Sequence, residues 1–210
     1  MTETLSLVLD EFSRLLLVPC LFLLCLLALA AILSCGAAIG EFFLDRRWRN
    51  IDETGLLLRL HKEGPVGLAH CVEQSSILSR HKDCLHTLLE ARDLPEGELD
   101  ILSDKLLADE DGIRKRSLDR VNLIVKLGPM VGLLGTLIPL GPGIVALGQG
   151  DTATLSSSLQ VAFNTTIVGV ASSGLAYLVS MVRRHWYRRD SVLLESLIAC
   201  CMEELHHEKE

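Results

Sequence analysis

Charge is almost missing from the second half of this 210-residue chain. Between Leu127 and Val182 the one charged residue is Asp151, and there is no histidine. Residues 15–40 are also free of charge. A helix needs about 20 mostly apolar residues to cross roughly 30 Å of hydrocarbon. Together with 49% hydrophobic residues and a mean hydropathy of +0.36, this absence excludes an ordinary soluble domain. We predict three transmembrane helices.

Motifs of the common enzyme classes are also absent. The sequence has no P-loop, no HExxH and no GxSxG. Cys71, His81, Cys84 and His86 lie within sixteen residues, but the closely spaced CxxC pairs of zinc sites are missing. Solvated helix faces explain these side chains better than a metal site. We therefore predict no enzyme activity, no metal and no cofactor. We also predict no binding of nucleic acid, because the clusters of basic residues flank the apolar stretches and serve as membrane anchors.

The first apolar stretch differs from a cleaved signal peptide. Its upstream flank carries Glu3, Asp10 and Glu11 against a single basic residue, Arg14. A secretory signal has a basic n-region and a short apolar core. We therefore expect this stretch to stay in the protein as a membrane helix.

Lysine and arginine are distributed unevenly along the chain. The flank before residue 15 has one, residues 41–126 have fourteen, residues 148–158 have none, and the tail after residue 182 has five. Cytoplasmic segments next to membrane helices are enriched in these residues. The pattern predicts that both basic regions lie in the cytoplasm. The N-terminus and the short loop are predicted to lie on the extracytoplasmic side of the inner membrane.

The predicted fold is all-α, an integral membrane protein with three transmembrane helices and long cytoplasmic helical extensions. A stripe of leucines from Glu98 onward predicts a helix that runs almost continuously into the second span. The predicted organisation is an extracytoplasmic segment (1–14), a first span (15–40), a cytoplasmic helical segment (41–126), a second span (127–148), a short extracytoplasmic loop (149–158), a third span (159–182) and a cytoplasmic C-terminal helix (183–210).

Small residues recur at four-residue spacing in the last two spans. Gly128 and Gly132 form a GxxxG pair, Gly135 follows, and Gly169 and Ser173 repeat the small-xxx-small pattern. Such residues let membrane helices approach closely. Two interpretations stay open: packing inside one subunit, or a surface that faces other subunits, a partner or a pore.

The polar residues of the two spans are uncharged and include Thr136, Asn164, Thr165 and Thr166. An isolated threonine in a membrane helix usually bonds a carbonyl one turn back. Here, however, hydroxyls occur in both spans. If Thr136 and Thr166 share a face and a depth, they form a polar ring when subunits assemble. Because ion pathways in membranes usually include an acid or a base, we expect a partner chain to supply the carboxylate.

Two motifs, Gly132-Leu-Leu-Gly-Thr136 and Thr166-Ile-Val-Gly169, resemble those of the MotA/TolQ/ExbB proton-channel family. The resemblance covers roughly residues 126–189, and three spans are closest to the ExbB and TolQ members. It implies a homopentamer around two copies of a single-span partner like ExbD, TolR or MotB, whose helix carries the ion-accepting aspartate. Thr136 and Thr166 match the family's pore threonines, and Asn164 and Thr165 are further pore candidates.

The resemblance further implies that a flux of protons or sodium ions drives rotation and does work across the cell envelope. One position departs from the pattern, because Val161 stands where several ExbB-like members carry a glutamate. The main alternative is a membrane scaffold that packs a partner and conducts nothing. A solute transporter would be expected to show longer, repeated bundles, and three spans without a repeat argue against it.

Overall fold

The computed structural model describes residues 2–43, 79–92 and 94–207, and within these ranges the regular elements are all helices. They are α1 (Thr2–Glu41), α2 (Ser79–Glu90), α3 (Glu96–Gly148) and α4 (Thr152–His207). Three of them, α1, α3 and α4, are long and apolar enough to cross a membrane. The prediction of an all-α protein with three membrane spans is therefore confirmed.

Helix α3 is continuous over 53 residues despite three internal prolines. Each proline removes one backbone hydrogen bond to the residue four positions earlier; Pro139, for example, cannot donate to the carbonyl of Gly135. Membrane helices tolerate such losses where neighbouring groups re-satisfy the backbone. The continuity agrees with the leucine stripe that starts at Leu99, which Ile113 and Leu118 extend across the weaker middle at Gly112.

Helix α4 begins earlier than the proposed membrane boundary at residue 159. Asp151 caps its first turn: one carboxylate oxygen accepts hydrogen bonds from the backbone nitrogens of Ala153 and Thr154, and the other accepts from the Thr154 hydroxyl. These bonds lower the pKa of Asp151, with the Thr154 hydroxyl as the largest cause. Because this cap satisfies backbone donors of the first turn, the helix can begin at Thr152. Residues 149–151 alone therefore separate α3 from α4.

The first of two compact units contains α1 up to residue 39 and the hairpin, which we define as residues 118–182 of α3, α4 and their connection. Helix α1 contributes small and leucine side chains, including Leu24, Leu27 and Ala31, to a core that it shares with both arms of the hairpin. The Cys20 thiol also donates to the carbonyl of Val131 at 3.4 Å. These contacts hold α1 against the hairpin.

The second unit contains α2, the start of α3 and the end of α4. Its core is built from leucines that are fully or almost fully buried, among them Leu85, Leu99 and Leu194. Burial in this core raises the pKa of the Cys84 thiol. Above the leucines, Arg114 contacts both His81 at 2.8 Å and Glu110 at 3.8 Å, so the charged layer of this unit is paired.

Cys71 lies outside the described residues, as do Arg46, Arg47 and Arg49, which belong to the basic region that follows the first span. Among the residues that the structure does describe, no three His, Cys, Asp or Glu side chains are grouped to hold a metal ion.

Candidate functional site

The two arms of the hairpin touch through their backbones at three glycines. A Cβ atom built on Gly169 would lie 2.7 Å from the Gly128 carbonyl oxygen and 3.0 Å from the Gly132 Cα. The first distance is shorter than real Cβ contacts, and the second is tighter than most of them. Ser173 extends the contact by donating to the carbonyl of Ile124 at 3.4 Å. These small residues therefore pack α3 against α4 within one subunit, which is one of the two interpretations that the spacing left open.

Thr165 lies inside this helix contact and not on its flank. Its side chain is buried, and a Cβ atom on Gly135 would lie 2.7 Å from the Thr165 Cβ. The Thr165 hydroxyl donates to the carbonyls of Val161 and Ala162 in its own helix, at 3.1 and 2.9 Å. Gly135 has no side chain, and this absence leaves the space that Thr165 fills.

Thr136 and Thr166 each follow this contact by one residue. The two helices are antiparallel, because contacts pair Gly143 with Ser158, Gly135 with Thr165 and Gly128 with Ser173. One residue turns an α-helix by about 100°. In an antiparallel pair, one forward step on each helix turns both side chains towards the same side of the plane that contains the two axes. Thr136 and Thr166 therefore share a side and a level.

Helix α1 packs on the opposite side of the hairpin. Val131 and Leu127 lie one and two turns before Gly135. Relative to Gly135 they are rotated by about 40° and 80°, in the direction opposite to Thr136. Val179 and Leu175 are rotated in the same way relative to Thr165. All four belong to the core that α1 shares with the hairpin. At the level of the two threonines, the side that carries them is thus the side that α1 does not cover.

Both threonines keep acceptor capacity on this open side. The Thr136 hydroxyl is half-buried and donates to the carbonyl of Leu133 at 2.7 Å; the exposed Thr166 hydroxyl donates to that of Ala162 at 3.1 Å. A hydroxyl that donates its one hydrogen still offers its oxygen lone pairs. Two neutral oxygens are thus presented at one level, an arrangement suited to a cation or to a hydrated carboxylic acid.

Asn164 lies on a different side of α4. It precedes Thr165 by one residue, so it is turned about 100° in the direction opposite to Thr166, and its side chain is exposed. Of the four polar residues singled out in the sequence, the geometry brings Thr136 and Thr166 together, turns Thr165 into the helix contact and separates Asn164 from the pair.

A further polar pair joins the two arms near the end of the hairpin that lies opposite the loop. The Ser180 hydroxyl is buried and donates to the side-chain oxygen of Asn122 at 2.9 Å. The charge-free stretch did not point to this pair, because Asn122 precedes its start at Leu127. The signal in the sequence was the spacing: Asn122 is fourteen residues before Thr136, and Ser180 is fourteen residues after Thr166.

The fold and these polar groups define a multi-pass membrane protein in which a hairpin with one charged residue between Leu127 and Val182 presents oxygen ligands on one side. Comparison with known families gives the same class. The model of the MotA/TolQ/ExbB proton channel family matches residues 79–195. This match spans more than half of the chain, and the chain belongs to that family. The resemblance seen in the two short motifs is therefore confirmed, and it extends back to the start of α2.

A search of curated proteins found no match to the chain. The MotA/TolQ/ExbB family consists of membrane channels that work in complexes with partner proteins and is not an enzyme class. Membership therefore assigns this chain to ion transport at the level of the family.

Proposed function

We propose that this chain is the pore-forming subunit of an ion-driven motor complex of the inner membrane, with protons as the expected ion. Five copies surround two single-span partner chains, each with an aspartate in its membrane helix. The observation that carries the proposal is the common side and level of Thr136 and Thr166, on the side of the hairpin that α1 leaves open.

The chemistry of that side supports a pathway in which the partner supplies the charge. The hairpin contributes hydroxyl oxygens and no acid or base between Leu127 and Val182 except Asp151, which caps α4 at the loop. A carboxylate within a membrane needs polar or charged neighbours. A ring of threonine hydroxyls can accept and donate hydrogen bonds without forming the tight ion pair that would trap the partner's aspartate.

Membership of the family supports the pentamer and the partner dimer, and the exposed apolar surface of the hairpin is compatible with them. Large side chains such as Leu133, Leu137, Phe163 and Ile167 are more than half exposed in the single subunit. In a membrane such surface faces lipid or neighbouring helices. The proposed orientation, with the N-terminus outside, still rests on the distribution of lysine and arginine.

The test is native mass spectrometry of the detergent-extracted chain, alone and co-expressed with its candidate partner. The candidate is a short chain with one membrane span and an aspartate near the start of that span. We expect five copies alone and the same five with two copies of the partner. A monomer or dimer under mild extraction would contradict the pore and favour a non-conducting scaffold.

A further inference from the structure

A line of polar groups continues from Thr136 and Thr166 along the same side of the two helices, towards the end of the hairpin opposite the loop. Fourteen residues correspond to almost four turns of helix, so Asn122 and Ser180 are rotated by only about 40° from the two threonines and lie about 21 Å further along. The two arms show the same spacing. The Asn122–Ser180 pair is therefore a second polar level on the side that carries the first.

The hydrogen bond between the two side chains determines which of them can meet an ion. Ser180 is 4% exposed, and its one hydrogen is donated to the side-chain oxygen of Asn122. Asn122 is half-buried, and its carbonyl oxygen keeps a second lone pair. Ser180 thus holds the carboxamide in one orientation, while the carboxamide presents the oxygen.

Tyr177 lies between the two levels on the same side. It follows Thr166 by eleven residues, which is three turns plus about 20°, and precedes Ser180 by three. Its side chain is 58% exposed in the subunit. Ser173, seven residues from both Thr166 and Ser180, is buried and satisfied by the Ile124 carbonyl, so the phenol is the hydroxyl available in this interval.

From this arrangement we infer that Asn122, oriented by Ser180, and Tyr177 carry the transported cation between the threonine level and the end of the hairpin at which α3 enters and α4 leaves. The inference rests on the proposed function. Neutral oxygens suit this stretch, because they can replace part of the hydration of a proton or a sodium ion without holding it as a carboxylate would. Asn122 and Tyr177 contact the ion in this scheme, and Ser180 positions Asn122.

The experiment uses the complex captured from its native membrane through a tag on this chain and reconstituted into liposomes. Ion flux is measured with a proton gradient in sodium-free buffer, and again with a sodium gradient at constant pH. Asn122→Ala and Tyr177→Phe should each lower the flux about three- to tenfold, as expected for one lost polar contact. Ser180→Ala should lower it similarly, and Ser180→Thr, which keeps the hydroxyl, should restore it.

Leu123→Ala is the matched control. Leu123 is 55% exposed and adjacent to Asn122, but its side chain is turned towards the other side of the hairpin, so the flux should not change. Native mass spectrometry of each variant separates flux per complex from assembly. Normal flux in both Asn122→Ala and Tyr177→Phe, with flux lost in Thr166→Val, would overturn the inference and leave the proposed function standing. An unmodified complex without any ion flux would overturn both.

Discussion

At the scale of single residues, Thr165 and Thr166 show how one step along a helix changes the role of the same side chain. Both hydroxyls donate to the carbonyl of Ala162, so their hydrogen bonds do not distinguish them. Burial does: Thr165 fills the space beside Gly135, whereas Thr166 is exposed on the open side. Contact with the opposite helix therefore decides which of the two threonines we propose for the ion pathway.

Replacing Thr166 with valine should stop most of the flux without affecting assembly. Valine keeps the shape of threonine and removes the oxygen that we propose faces the ion pathway. Loss of a polar contact to a charged species corresponds to about 1.5–3 kcal/mol, or roughly a ten- to hundredfold lower flux. The measurement is proton flux in liposomes, normalised to the number of assembled complexes.

Thr165→Val provides the comparison for Thr166→Val. Because the Thr165 hydroxyl bonds only its own helix and faces Gly135, its loss should change the flux by no more than about twofold. Equal losses of flux in the two variants would contradict the assignment, and unchanged flux in both would mean that the ion pathway does not pass Thr166.

At the scale of helices, the register of the hairpin depends on a few glycines. Gly135 has room for Thr165 only because it lacks a Cβ atom, whose nearest neighbours would be three Thr165 atoms at 2.7, 2.9 and 3.0 Å. Close packing of this kind fixes the register of α3 against α4, because the two backbones approach each other at the glycines and the threonine hydroxyl lies inside the contact. Any shift at Gly135 would also move Thr136, the next residue.

Gly135→Ala should therefore destabilise the subunit by about 1–3 kcal/mol, the usual cost of overpacking a close contact. The double variant Gly135→Ala with Thr165→Gly should recover part of this loss, because glycine at 165 lacks all three clashing atoms, including the Cβ at 2.7 Å. Gly141→Ala is the control in the same helix, since a Cβ atom there meets nothing within 4 Å. Thermal unfolding in detergent measures all three, and a neutral Gly135→Ala would argue against the contact.

Most of the architecture could be predicted from the sequence, because it follows from composition. The charge-free stretches predicted the three spans, and the leucines after Glu98 predicted the continuity of α3. The orientation of Thr165 and Asn164 was harder, since adjacent polar residues give no sign of which one faces the neighbouring helix. That choice depends on the pairing of Gly135 with Thr165, a contact between positions thirty residues apart.

At the scale of the whole molecule, the distribution of charge agrees with the arrangement of helices. Between Leu127 and Val182 the hairpin has one charged residue, Asp151. The second unit carries paired charges such as Arg80 with Glu110 at 3.0 Å and Arg183 with Glu41 at 3.4 Å. Phe42 stacks on Trp186 beside the latter pair, with ring centroids 6.0 Å apart. Tryptophan next to basic residues is typical of a membrane interface.

The proposed orientation predicts opposite accessibility for the two ends of α4. In a cysteine-free background, Gln149→Cys at the loop should react with a membrane-impermeant maleimide from outside the cell, and Glu203→Cys should react only after the membrane is opened. Both positions are exposed in the subunit, so burial does not interfere. Labelling of Glu203→Cys in intact cells would reverse the orientation and the direction of the pathway.

The equal fourteen-residue intervals on α3 and α4 constrain how homologous chains can differ in length. One residue inserted between Asn122 and Thr136 would rotate one polar level by about 100° against the other and turn it out of line. An insertion of seven residues would nearly preserve the alignment, but only with a matching insertion between Thr166 and Ser180. Side chains in this interval can therefore vary more freely than its length, and length changes should occur in pairs, one in each arm.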